Sequence, residues 1–139
     1  MATISKSYIG LSIPIQNGNH GYFDQTTDTF SAYKMNIINL IRTKPGERRM
    51  NPTFGCRLWN LVFDQNDDFI NDKVTKIITE DINKWIPGVS VGVVNVKNID
   101  DNLVVSTEPT NKLQIIVTFT VLSINYSDTV TVLLNTGTI

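Results

Sequence analysis

Between two stretches of helical periodicity lie fourteen residues, Thr43 to Cys56, that hold two prolines, two glycines and an Asn directly before a proline. Pro45 fixes its own φ, Gly46 and Gly55 can take conformations closed to other residues, and Asn51 is restricted by Pro52. No helix continues through such a run. The chain must turn here in one defined shape, and the two helices must meet at an angle that this joint sets. Phe54 can fill a hydrophobic gap beside it, and Gly55 can turn the chain where a side chain would clash. Pro45, Gly46, Pro52, Phe54 and Gly55 are therefore the expected structural joint. Leu58, Leu61, Val62 and Phe63 continue it as a short amphipathic helix.

The flanking periodicity supports this reading. Phe30, Tyr33, Ile37, Leu40 and Ile41 recur at helical spacing, with Asp28 or Thr29 placed to cap the first turn, and the helix is expected to stop near Arg42. A second, stronger helix is expected from about Asp67 to Trp85. Its stripe of Ile70, Val74, Ile77, Ile78, Ile82 and Trp85 stands largely opposite Asp72, Lys73, Lys76, Glu80 and Lys84. Asp67 and Asp68 suit the positive end of the helix dipole and Lys84 the negative end. Pro87-Gly88 ends this helix.

Beyond it the period changes to two. Val89, Val91 and Val93 alternate, and the phase slips at Val93-Val94, which predicts a bulge or a strand buried on both faces. Leu113, Ile115, Val117, Phe119 and Val121 form a second strand, and Val130, Val132 and Leu134 a third. Ser123 to Asp128 reads as the hairpin loop between them. Ile99 to Asn111 reads as a long loop with a short strand at Leu103 to Ser106. The fold class is thus α+β: three helices, one of them short, packed on a small, mainly antiparallel C-terminal sheet. Residues 27–139 are expected to form that single domain. Residues 1–26 read as an extended N-terminal arm whose Leu11, Ile13 and Ile15 lie either on a neighbouring molecule or on the chain's own domain.

Composition excludes several classes of function. A formal net charge of -1, with Arg48-Arg49 the one tight basic pair, lacks the clustered cations that nucleic acids and anionic membranes require. No apolar run approaches the roughly 18 residues needed to cross a bilayer, and no basic-then-apolar leader is visible. Cys56 is the only cysteine and His20 the only histidine, so no metal-ligand spacing exists, no cofactor motif is present, and a reducing compartment fits. Cys56 reads as a small buried hydrophobe, with Phe54, Trp59 and Trp85 as core aromatics in preference to interface ones.

The helix ending Ile37-Ile38-Asn39-Leu40-Ile41-Arg42-Thr43, followed by Pro45-Gly46-Glu47-Arg48, Asn51-Pro52-Thr53-Phe54-Gly55-Cys56 and the short helix to Phe63, resembles the small baseplate wedge proteins of contractile phage tails. The related baseplate component of type VI secretion systems belongs to the same group. The resemblance extends more loosely from Leu11 to Leu134. It implies a structural virion protein in the tail baseplate, assembled in the host cytoplasm, with other wedge proteins, the tail sheath and tail tube or hub proteins as partners. It further implies that the chain binds the wedge core and starts sheath assembly by strand addition. The sheath-contact residues would be Gln114, Ile116, Thr118, Thr129, Thr131 and Leu133.

One departure stands out. The family's Glu-Pro-Arg clip after the long helix is matched here by Ile86-Pro87-Gly88, so the charges are missing. The wedge-core contact is then expected at Arg48, Arg49, Ile86, Pro87 and Gly88, and either it is more apolar here or the arginines supply the charge, unless they tie the loop to Glu47, Asp64 or Asp67. The missing clip favours a phage tail over a secretion apparatus.

Some relatives have been described as lysozyme-like, which makes a glycoside hydrolase the competing reading, with Glu47 as acid and Asp64 as its partner. Yet Glu47 sits between Gly46 and Arg48 and not in an apolar pocket, and nothing in the sequence sets the two carboxylates about 5 to 9.5 Å apart. No catalytic residue is assigned.

Overall fold

The computed structural model describes residues 9–18, 22–61, 70–99 and 112–135. Asp64, Asp67, Asp68, His20 and the strand expected at Leu103 to Ser106 lie outside these residues.

Two short strands precede the first helix. β1 (Gly10–Leu11) pairs antiparallel with β2 (Gln25–Thr26), and the Ser12 and Ile9 amides extend the pairing to the carbonyls of Asp24 and Thr26. Strands of two residues carry no readable period, so this sheet leaves no mark in the residue pattern. The helices are accordingly not the first elements of the chain.

α1 (Thr29–Arg42) starts where Asp28, in extended conformation, accepts a hydrogen bond from the Ser31 amide at 3.2 Å. That settles the cap between the two candidates. Ile37, Leu40 and Ile41 are buried, with Phe30 and Tyr33 packed beside them. Arg42 ends the helix as expected, and the Thr43 hydroxyl closes on the Asn39 carbonyl at 2.6 Å. α2 (Leu58–Leu61) buries Leu58. α3 (Ile70–Trp85) buries Val74, Ile78 and Ile82 at four-residue spacing, with Ile77 and Trp85 on the flanks of the stripe.

The C-terminal sheet is antiparallel in the order β3-β4-β5, formed by β3 (Val89–Ile99), β4 (Lys112–Val121) and β5 (Tyr126–Asn135). Ile115, Val117, Phe119 and Val121 of β4 face inward and meet Val130, Val132 and Leu134 of β5. On β3 the inward set is Val89 and Val91, then Val94 and Val96. The change of parity occurs at a register shift between Val91 and Val94, so the slip seen in the sequence is a bulge. α1 lies over the β5 side, where the Phe30 ring stacks on Phe119 and meets Tyr126 edge-on, and α3 lies over β3.

The β4–β5 turn is tighter than Ser123 to Asp128. Val121 already pairs with Tyr126, leaving residues 122–125 as the turn, with Asn125 at φ 47°. Tyr126, Ser127 and Asp128 are drawn into the strand by partners elsewhere: the Phe30 ring, the Thr120 hydroxyl and the Lys34 ammonium.

Candidate functional site

The joint is fixed by a dense set of backbone bonds. The Gly46 amide donates to the Pro52 carbonyl at 2.8 Å, Glu47 to Lys44, Phe54 to Asn51, and Cys56 to Thr43 at 3.0 Å. Gly46 and Gly55 both have positive φ, 89° and 139°. Gly55 is confined as well as twisted, since a Cβ there would lie 2.7 Å from the Pro45 nitrogen and 2.8 Å from the Thr43 oxygen. The Trp59 indole N–H caps the Ile41 carbonyl at 3.0 Å, where the last turn of α1 has no helical donor left.

A second clamp joins the joint to α3. The Arg57 amide and Nε donate to the two oxygens of Asp81, both at 2.8 Å, and Arg57 Nη2 reaches Glu80 at 2.9 Å. Asp81 is only 2% exposed. A buried carboxylate needs such partners, because desolvation penalises it strongly otherwise. Sequence reasoning missed this pair. Its signal was present: Asp81 falls on the same stripe as Ile78, Ile82 and Trp85, and a carboxylate in an apolar stripe demands a cation.

The two ends of the predicted core-contact set are brought into one neighbourhood. Phe54 lies edge-on to Trp85, with ring centroids 5.2 Å apart, and the Arg48 guanidinium stands 4.1 Å above the Phe54 ring. Trp85 is two residues before Pro87. Arg48, Arg49, Pro87 and Gly88 are exposed, whereas Ile86 is buried in the core and has no free side chain to offer a partner. Gly88, with φ 92°, turns under the Tyr33 hydroxyl, and its carbonyl accepts from Leu122, tying this corner to the β4–β5 turn.

The six predicted strand residues form three cross-strand pairs on the outer face: Gln114 with Leu133, Ile116 with Thr131, and Thr118 with Thr129. However, β4 is the central strand. Its backbone is paired on both sides, so Gln114, Ile116 and Thr118 contribute side chains and not a strand edge. Among the described residues, no strand pairs with the outer edge of β5.

The catalytic alternatives find little geometry. The Glu47 carboxylate accepts the Lys44 amide at 3.0 Å and closes the turn. Cys56 is 1% exposed, and burial pushes its thiol up to about 12, so the nucleophilic thiolate is not formed at neutral pH. Among the described residues, no group of three or more His, Cys, Asp or Glu could hold a metal ion, and no helix is long and apolar enough to cross a membrane.

Residues 34–126 match the protein family described as baseplate wedge protein gp25. No individually curated protein matches the sequence. Among solved structures, the chain is similar to a Geobacter sulfurreducens protein named for a tail lysozyme, with a TM-score of 0.66 and 19% identity over 78% of this chain and 91% of that one. It is also similar to a chain in the baseplate of the anti-feeding prophage, with a TM-score of 0.63 and 19% identity over 81% of this chain and 83% of that one. At such identities the neighbours establish the fold, and the lysozyme name describes the neighbour. The family match runs from within α1 through the joint and α3 to the first residue of β5, and on that span the chain belongs to the gp25 family of baseplate wedge proteins, components of the tail baseplate of phage or phage-like particles.

Proposed function

We propose that the chain is a non-catalytic subunit that seeds the sheath on the baseplate by accepting a strand at the outer edge of β5. The observation that carries this is the inequality of the two sheet edges. β3 is broken by its bulge between Val91 and Val94 and carries Lys97, devices that blunt an edge against pairing. β5 pairs with β4 without interruption over ten residues, and among the described residues no strand covers its other edge. An added strand gains backbone hydrogen bonds that ask little of its side chains. Thr129, Thr131 and Leu133, with Gln114, Ile116 and Thr118 beside them, provide the exposed surface next to the new strand. The family match ends where β5 begins, so this part of the reading rests on the sheet geometry.

The wedge-core contact is assigned to the corner where Arg48, Arg49, Pro87 and Gly88 are exposed. Wedge proteins and the sheath are the direct partners, with tube or hub proteins next to them, and assembly takes place in the host cytoplasm. Glu47 serves the turn of the joint and not glycoside hydrolysis. Replacing it with Gln should leave peptidoglycan turnover at the level of a protein-free control, and Glu47-dependent clearing would overturn the non-catalytic reading.

Amide hydrogen exchange tests the strand addition directly. In the free chain the outward amides of β5 should exchange far faster than those bonded to β4, and in assembled tails both sets should be protected. Equal, unchanged exchange of the outward set in free and assembled protein would sink the proposal.

A further inference from the structure

Four side chains at the corner of the joint form a continuous stack of cation, ring, ring and cation. Arg48 covers Phe54, Phe54 meets Trp85 edge-on, and the Lys84 ammonium lies 4.9 Å from the Trp85 ring centroid. Both cations are exposed and both rings are half-buried. Among the described residues, the carboxylates in ion pairs are Asp128, Glu80 and Asp81, and their cations are Lys34 and Arg57, so neither Arg48 nor Lys84 is in an ion pair with any of them. Glu47, the acidic residue next in sequence to Arg48, is held by the Lys44 amide. Arg49 adds a third exposed cation, and Met50 is 99% exposed beside it.

We infer that this stack is a docking surface for an acidic segment of another protein chain, one whose carboxylates bracket an apolar side chain. Charge complementarity carries the inference. Cations resting on aromatic faces are held in place before a partner arrives, so less side-chain freedom is lost when a carboxylate binds. Arg48 can offer its fork to a carboxylate in two parallel bonds, Lys84 a point charge, and the rings between them an apolar floor. Nucleic acid fits less well. Binding a phosphate backbone draws on many clustered cations, whereas the chain as a whole carries a formal net charge of -1. The inference deepens the baseplate reading, on which it rests for the existence of a partner chain.

The test uses the full chain with nitrogen-labelled tryptophan and three probes: an amphipathic helical peptide with Glu at its polar positions and Leu on its apolar face, the same peptide with Gln for Glu, and a single-stranded DNA oligonucleotide. The Glu peptide should shift the Trp85 indole resonance and leave that of Trp59, whose N–H is bonded to Ile41, in place. Its affinity should exceed that of the other two probes by at least about tenfold and fall with added salt. The double variant R48E/K84E should lose the Glu peptide and gain a Lys counterpart, with an unchanged melting temperature. If that variant does not fold, R48Q and K84Q, each lowering affinity severalfold, give the same readout. Equal binding of the Gln peptide, preference for DNA, or unaltered binding by the charge variants overturns the inference. Failure of the baseplate reading is separate: a chain that binds the Glu peptide yet never enters tail particles contradicts that reading alone.

Discussion

The joint between α1 and α2 and the outer edge of β5 differ in how completely their polar groups are used. In the joint, nearly every turn is closed by a named bond, two glycines adopt positive φ, and the emerging Arg57 is clamped to a buried carboxylate on α3. Along β5, one edge is fully paired with β4, and among the described residues nothing pairs with the other. The joint determines where things sit, and the edge leaves bonding capacity for something else. On the proposed reading the backbone of the joint serves stability and the edge of β5 serves strand addition, and substitutions should separate the two.

The largest effect is expected at Gly55. Gly55→Val combines an unfavourable φ with overlap onto the Pro45 and Thr43 backbone, which cannot move aside as a side chain would. A loss of about 3 kcal/mol or more in unfolding free energy is expected by denaturant titration. A melting curve like that of the parent would mean that the joint is pliable and does not fix the angle between the helices.

Next comes the clamp. Asp81→Ala removes the acceptor for the Arg57 amide and Nε and leaves a small cavity where the buried carboxylate stood. About 2 to 3 kcal/mol should be lost, less than for a fully buried pair because Arg57 is half-exposed. Asp81→Asn, which keeps the volume but not the charge, should recover part of this; full recovery would assign the effect to packing alone, and equal losses for Ala and Asn would assign it to the carboxylate's charge.

How much of this could be read from the sequence depended on whether a feature was local. The end of α1 at Arg42, the turn at Pro45-Gly46 and the bulge after Val91 all leave marks within a few residues, through Pro and Gly or a slip in parity, and the structure has each in place. Arg57 and Asp81 lie 24 positions apart, and only tertiary contact reveals their pairing. Likewise, Tyr126 to Asp128 look like turn residues until α1 supplies Phe30 and Lys34 to hold them in β5. The placement of β4 between its neighbours decided which predicted strand residues present an edge, and strand order is not written in a period of two.

A smaller effect is expected where α1 meets β5. The Thr129 amide and then the Lys34 ammonium hold the Asp128 carboxyl below its ordinary range. A depressed folded-state value means a stabilising contribution that is complete above the ordinary carboxylate range and disappears as pH falls through the folded-state value. Asp128→Asn should thus lower stability by less than about 1 kcal/mol near neutrality. The difference from the parent should vanish in strong acid, and a gap that widened with acidification would contradict the assignment.

The smallest change in stability belongs to the edge itself. Thr131→Lys should alter the unfolding free energy by no more than about 0.5 kcal/mol, since its side chain is exposed on the outer face of the sheet. Yet it should suppress sheath growth on isolated baseplates, seen by negative-stain microscopy as bare tubes. Full-length sheaths on such baseplates would remove β5 from the assembly reading.

The bulge in β3 has a further consequence, which concerns number. If the sheet accepts a strand as proposed, with one side blunted by the bulge, each copy would be univalent toward strand donors. A closed ring of such copies would then dictate how many donors enter the first layer above it, and the count of the polymer would be set by a two-residue slip at Val91 to Val94 in its founding subunit.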